Sequence, residues 1–167
     1  MPPPPPVRKN TAPGNGGSSF QTVDMDIFAF SLICSKQADE IATPVSIGCR
    51  SELCERCDQP VHQCTAIWDT GATSSMIARH VSEKLGLHTI GQVRIAGIHG
   101  AQAANVYEVD LIFGNGMRIP KVKVSEASDG GGFDVLIGMD IIRRGVFIVD
   151  GSAGETSVYF ACPAISN

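Results

Sequence analysis

The sequence predicts an all-β domain, a small closed or orthogonal barrel carrying one or two short helices. Three observations lead there. Apolar segments of five to nine residues, rich in β-branched and aromatic side chains, recur along most of the chain and alternate with polar positions. The 18 glycines fall largely between those segments, where turns are needed. Only one stretch of any length repeats its apolar residues at helical spacing. At 167 residues, with 43% hydrophobic and 18% charged, the chain suits one globular domain with a short appendage.

The front of the chain is that appendage. Residues 1–19 hold Pro2 to Pro6 and then a run of Gly, Asn and Ser, a composition that stiffens and then loosens the backbone without supplying a core. A tail is expected there, with the domain over 20–162. Residues 25–33 read as an opening strand and 43–48 as a second.

Between 48 and 65 the composition changes, and a cysteine-rich hairpin insertion is expected. Cys49, Cys54, Cys57 and Cys64 fall within sixteen residues. Their spacing would let a Cys-Glu-Arg-Cys knuckle and two strand ends converge on a tetrahedral ion, for which zinc is the usual occupant of thiolate sites. Free structural thiols and disulfides are the other two readings of the same spacing.

Ala66-Ile67-Trp68 then delivers Asp69-Thr70-Gly71-Ala72, as a strand delivers a carboxylate to a tight turn. Ile77, Val81 and Leu85 recur at helical spacing, so a helix is expected over 75–85, with Ser74 or Ser75 as N-cap and Gly86 as C-cap. His80 and His88 read as solvated residues. Segments 92–96 and 105–113 alternate as two strands joined by a loop containing Gly97, Ile98, His99 and Gly100. Gly114-Asn115-Gly116 turns the chain into a strand at 119–124, broken by Pro120. After a polar loop come a buried strand at 133–138, a brief helix at 139–143, and strands at 146–150 and 156–161.

Three of these features together resemble the retropepsin-like aspartic proteases, the single-domain family that includes the retroviral enzymes. They are Asp69-Thr70-Gly71-Ala72, the glycine-rich Gly97-Ile98-His99-Gly100 and the apolar Val135-Leu136-Ile137-Gly138, in the family's order over residues 43 to 160. The resemblance implies a barrel of the retropepsin type and peptide hydrolysis by water activated between two carboxylates. Asp69 would be the catalytic group. Thr70 would brace paired turns, Gly71 would permit close backbone approach, and Ala72 stands where pepsin-like relatives carry a hydroxyl residue. Ile137 would pack against the strand bearing Asp69, and Gly138 would leave room for it. Residues 97–100 would form a flap over the substrate, His99 being a departure from the small or apolar residue common there.

Catalysis of that type needs no cofactor, so any zinc would be structural. It does need a second aspartate, and no other Asp-Thr-Gly or Asp-Ser-Gly occurs. A two-fold homodimer would supply it, with segments 27–33 and 156–161 as strand edges available for pairing. The alternative is a non-catalytic dimerisation or peptide-binding module on the same fold. A metal-dependent hydrolase is disfavoured, because the thiols would all be consumed structurally and no His or Glu motif leaves an open coordination position. The net charge of −4 without Lys or Arg runs gives no footprint for nucleic acid or an anionic membrane. No apolar run approaches membrane-spanning length and no leader pattern opens the chain, so a cytoplasmic protein is expected.

Overall fold

The computed structural model describes residues 27–49, 53, 62–97, 100–127 and 132–163. Ten strands and two short helices occur in it: β1 (Ile27–Cys34), β2 (Ala42–Gly48), β3 (His62–Trp68), β4 (Met76–Ala78), α1 (Arg79–Leu85), β5 (Gly91–Gly97), β6 (Gly100–Phe113), β7 (Arg118–Ala127), β8 (Val135–Ile137), α2 (Met139–Ile142), β9 (Val146–Asp150) and β10 (Thr156–Pro163). The expected tail at 1–19 lies outside the described residues.

Six strands close on themselves. The order β2-β3-β8-β4-β7-β6 returns to β2 through a β2–β6 pairing, and β5 is attached outside the ring, to β6. Alternation explains the closure. In β2 the buried residues are Thr43, Val45 and Ile47, in β3 Cys64, Ala66 and Trp68, and in β8 Val135 and Ile137, so every second side chain points into one shared interior. Closure leaves these six strands with no raw edge at the pairings they share.

Strand β7 breaks its alternation in its first half, and Pro120 is the reason. Ile119, Val122 and Val124 are buried, a gap of three followed by one of two. Val109 pairs with Val122 and Leu111 with Ile119, so Pro120 and Lys121 together oppose Asp110 alone. This is a β-bulge, which tolerates a proline and a residue at φ 54°, here Lys121. The buried Asp110 carboxylate accepts the Lys121 N–H at 2.8 Å and pairs with the Arg118 guanidinium. A single continuous strand therefore replaces the broken one expected from sequence.

The second sheet has three antiparallel strands in the order β1-β10-β9. Strand β10 is thus central, bonded to Ile27–Cys34 on one side and to Val146–Asp150 on the other. The expectation that 156–161 forms an edge is corrected: its backbone groups are taken up on both sides, and β1 and β9 are the edges. The inner face of this sheet meets the barrel through an aromatic cluster. Phe30, Phe147 and Phe160 surround Trp68 at centroid distances of 5.8, 4.8 and 4.9 Å, with Phe113 of the barrel at 6.0 Å. Its outer face exposes Ile33, Val146, Ile148 and Tyr159, between 39% and 56% accessible.

Among the described residues, no helix is long and apolar enough to cross a membrane.

Candidate active site

Trp68 holds the strand that carries the acid. Besides its aromatic neighbours, the indole N–H donates to Thr43 Oγ1 at 2.9 Å in a buried setting, tying the end of β3 to the start of β2. The next residue, Asp69, leaves the barrel but keeps the ladder for one more bond. Trp68 is in parallel register with Ile137, and the Asp69 N–H donates to the Ile137 carbonyl at 2.9 Å. The chain then turns, with the Ala72 N–H on the Asp69 carbonyl at 3.2 Å and the Gly71 N–H on Asp69 Oδ1 at 2.8 Å. Asp69 is half-buried, and Thr70 and Gly71 are exposed. The turn aims the carboxylate by a backbone donor, with no hydroxyl at position 72.

The far side of the turn rests on Gly138. A Cβ there would lie 2.7 Å from the Ser74 carbonyl carbon, 2.8 Å from its oxygen and 3.0 Å from the Ala72 oxygen, all backbone atoms. Only glycine fits without displacing the turn. The approach is used: the Met139 N–H donates to the Ala72 carbonyl at 2.8 Å, and the Gly138 N–H to Ser75 Oγ at 3.1 Å. Ile137 is fully buried beside Trp68 in the core. The residues expected to form and support the site, Asp69 to Ala72 with Ile137 and Gly138, are brought together as one unit.

Two members of this unit were not read from the sequence as part of it. Ser75 is not a helix cap but a buried hinge pin, accepting from Gly138 and donating its hydroxyl proton to Asp140 Oδ1 at 2.7 Å. Helix α1 starts later, at Arg79, capped by Ala78 without a side-chain bond, and residues 76–78 form β4 between β7 and β8. Gly86 does close the helix, at φ 60°. Asp140, in the first turn of α2, reads from sequence, with Asp134, as a candidate second acid should one chain suffice, and its bond to Ser75 is not visible there.

His80 is exposed, as expected, and in addition has a partner. Its Nε2 lies 2.8 Å from Asp134 Oδ1, while Asp134 Oδ2 accepts the Thr65 N–H at 2.9 Å. Burial alone would raise the Asp134 carboxyl, but these bonds and the two nearby histidines, His80 and His62, outweigh it and hold the group below the usual range. Asp134 therefore clamps α1 to β3.

The hairpin expected to act as a flap is present as β5 and β6, paired from Gly91↔Val106 to Gly97↔Gly100. Ile98 and His99, at its tip, lie outside the described residues. So do Cys54 and Cys57 of the cysteine hairpin, whose base is the antiparallel β2–β3 pair.

Of the four cysteines only Cys49 and Cys64 are among the described residues, and these two are not placed to share one ion. Cys64 pairs with Val45 and lies in the barrel core. Cys49 is four residues further along, about 13 Å at strand rise, whereas the sulfurs of a tetrahedral zinc site lie within about 4 Å of one another. Burial pushes the Cys64 thiol up to about 12, with Asp134 adding to the effect. Cys64 serves as a small core residue. Burial, and then Asp110, also raises the Cys49 thiol. Among the described residues no cluster of three or more His, Cys, Asp or Glu could hold a metal.

Comparison with known proteins decides the family. The pattern of the family described as Aspartyl protease matches residues 56–141, just over half of the chain and the span from the cysteine hairpin through Asp69 to α2. This chain belongs to that aspartyl protease family. Its fold is shared with a retropepsin-like aspartic protease from Rickettsia conorii at a TM-score of 0.56 and 13% identity, covering 86% of this chain and all of the other. Weaker likeness extends to EIAV protease complexed with the inhibitor HBY-793 (TM-score 0.46, 18% identity, 63% of this chain and 86% of that one). It extends also to the retroviral protease-like domain of Ddi1 from Leishmania major (0.45, 19%, 68% and 83%). No curated protein matches the chain. Within this aspartyl protease the family match covers both halves of the unit built above, Asp69 to Ala72 and Ile137 to Gly138.

Proposed function

We propose that this aspartyl protease is an endopeptidase that works as a homodimer, with Asp69 of each copy forming the catalytic pair. The observation that carries the reading is the Asp69 turn itself: a half-buried carboxylate oriented by the Gly71 N–H and braced from behind by Gly138. In the dimer the two carboxylates share one proton, because like charges at close range cannot both ionise freely. The ionised member takes a proton from water, whose oxygen attacks the scissile carbonyl carbon. The protonated member gives its proton to the carbonyl oxygen. Collapse of the resulting diol passes a proton to the leaving nitrogen and restores the shared-proton pair.

Two findings support a second copy as the source of the second acid. Asp134 and Asp140, the nearest alternatives in sequence to the Ile137-Gly138 brace, are committed to Thr65 and His80, and to Ser75, respectively. The three-stranded sheet also offers an apolar outer face in Ile33, Val146, Ile148 and Tyr159, suited to burial against another protomer. The β5–β6 hairpin is read as the cover that excludes water from bound peptide.

The test is hydrolysis of a peptide library by wild type and Asp69→Asn. The substitution removes the titrating group at nearly constant volume, so turnover should vanish while folding and dimer remain. Excess Asp69→Asn mixed with wild type should also depress activity through mixed dimers. Undiminished cleavage by the purified variant would eliminate the assignment, and absence of cleavage by wild type would leave the peptide-binding module as the reading.

A further inference from the structure

Strands β5 and β6 form an arm that leaves the barrel. The last pair joining β6 to β7 at that end is Val106↔Ser125, and beyond it, among the described residues, β5 and β6 pair only with each other. Among the described residues strand β5 pairs only with β6, and Gln92, Val93 and Arg94 are all exposed. An arm held on one side is free to pivot about its root unless something fixes the root.

A chain of side-chain hydrogen bonds crosses that root. Gln92 Nε2 on β5 donates to Asn105 Oδ1 at 3.2 Å, and Asn105 Nδ2 donates to the Tyr107 hydroxyl at 3.4 Å. The Tyr107 hydroxyl donates to Glu126 Oε2 on β7 at 2.5 Å. Glu126 in turn accepts from Ser82 Oγ at 3.0 Å and Arg79 Nε at 3.3 Å, both on α1. Helix α1 and the short β4 before it follow directly on the Asp69 turn. Tyr107 is buried and its ring is in the core, so its hydroxyl is a fixed point. Burial would raise the Glu126 carboxyl, yet the bonds from Tyr107, Ser82 and Arg79 prevail and keep it low, hence ionised and a strong acceptor.

We propose that Tyr107, with Asn105 and Glu126 on either side, is a positioning latch that fixes the angle of the β5–β6 arm relative to the barrel and so sets how tightly the arm closes on a peptide substrate. This rests on the reading of the arm as the substrate cover. Nothing in the latch touches the reacting atoms. Its effect is on the population of the closed arm, so losing it weakens substrate capture more than the chemical step.

Tyr107→Phe removes the hydroxyl with little change in volume, and Asn105→Ala cuts the same chain at a more exposed point. Amide hydrogen exchange followed by mass spectrometry should show residues 91–105 exchanging about two- to tenfold faster in both variants, the range expected for one hydrogen bond. Exchange in β2, β3 and β8 should stay at the wild-type rate. With a peptide that wild type cleaves, KM should rise by a similar factor and kcat should change less. Unaltered exchange over 91–105 would overturn the latch, as would equal acceleration throughout the barrel, which would mark a merely structural residue. A faster arm with unchanged KM would overturn its role toward substrate. If wild type cleaves no peptide, the endopeptidase reading fails by itself, and the exchange rates still decide the latch.

Discussion

Replacing Gly138 by alanine puts one methyl group against the back of the catalytic turn. To regain an ordinary 3.4 Å contact from 2.7 Å, the Ser74 backbone must withdraw by about 0.7 Å. Overpacking of that kind costs about 1–3 kcal/mol. The Met139–Ala72 and Gly138–Ser75 bonds lie at the same contact and would lengthen, together losing about 1–2 kcal/mol. The loss is then about 2–5 kcal/mol out of a stability on the order of 5–15. At a urea slope of about 2 kcal/mol/M, the unfolding midpoint should fall by about 1–2.5 M. Peptide turnover should fall further, by about 10–100-fold at conditions where the variant is still folded, because misplacing a catalytic group by about 1 Å can cost a hundredfold. Urea titration followed by fluorescence, alongside peptide cleavage, measures both. Gly151→Ala is the control: no atom lies within 4 Å of the added methyl, and stability should hold to within about 0.5 kcal/mol. A Gly138→Ala protein with the wild-type midpoint and turnover would refute the claim that this glycine braces the turn.

Two more expectations follow from buried polar contacts. Thr43→Val keeps the shape of β2 but strips the acceptor from the Trp68 indole N–H, so stability should drop by about 1–3 kcal/mol, and a urea midpoint equal to wild type would refute the bond's importance. Glu126, whose folded-state carboxyl is held low, contributes stability that is present at neutral pH and is lost as pH falls from the unfolded-state value through the folded one. The stability gap between wild type and Glu126→Gln should therefore be full at pH 7 and shrink below about pH 4.5; a gap independent of pH in urea titrations would contradict it.

Local pattern made much of this molecule legible. Alternation marked the barrel strands because one face of each is buried, and the Asp-Thr-Gly run between an apolar strand and small residues marked the turn. What escaped were features that depend on long-range partners. Ile77, Val81 and Leu85 share the core at intervals of four, yet Ile77 belongs to a three-residue strand inserted between β7 and β8, and its spacing imitates a helix that begins only at Arg79. Ser75 offered a cap at short range and took a more buried role because Gly138 and Asp140 arrive from sixty residues away. Strand β10 looked like an edge because nothing in residues 156–161 announces that both β1 and β9 will flank it. The cysteines appeared as one cluster in one dimension, but strand extension carries Cys64 down into the core away from Cys49.

Trp68 is the only tryptophan in the chain, and its ring lies where the barrel, the three-stranded sheet and the Asp69 turn meet. Its emission is therefore a built-in optical gauge of that junction. Stacked on Phe147 at 4.8 Å and shielded from solvent, it reports from a dry setting that separation of the two sheets would flood. A shift of the emission to longer wavelength reads loosening one residue from the carboxylate, without a label and without a substrate.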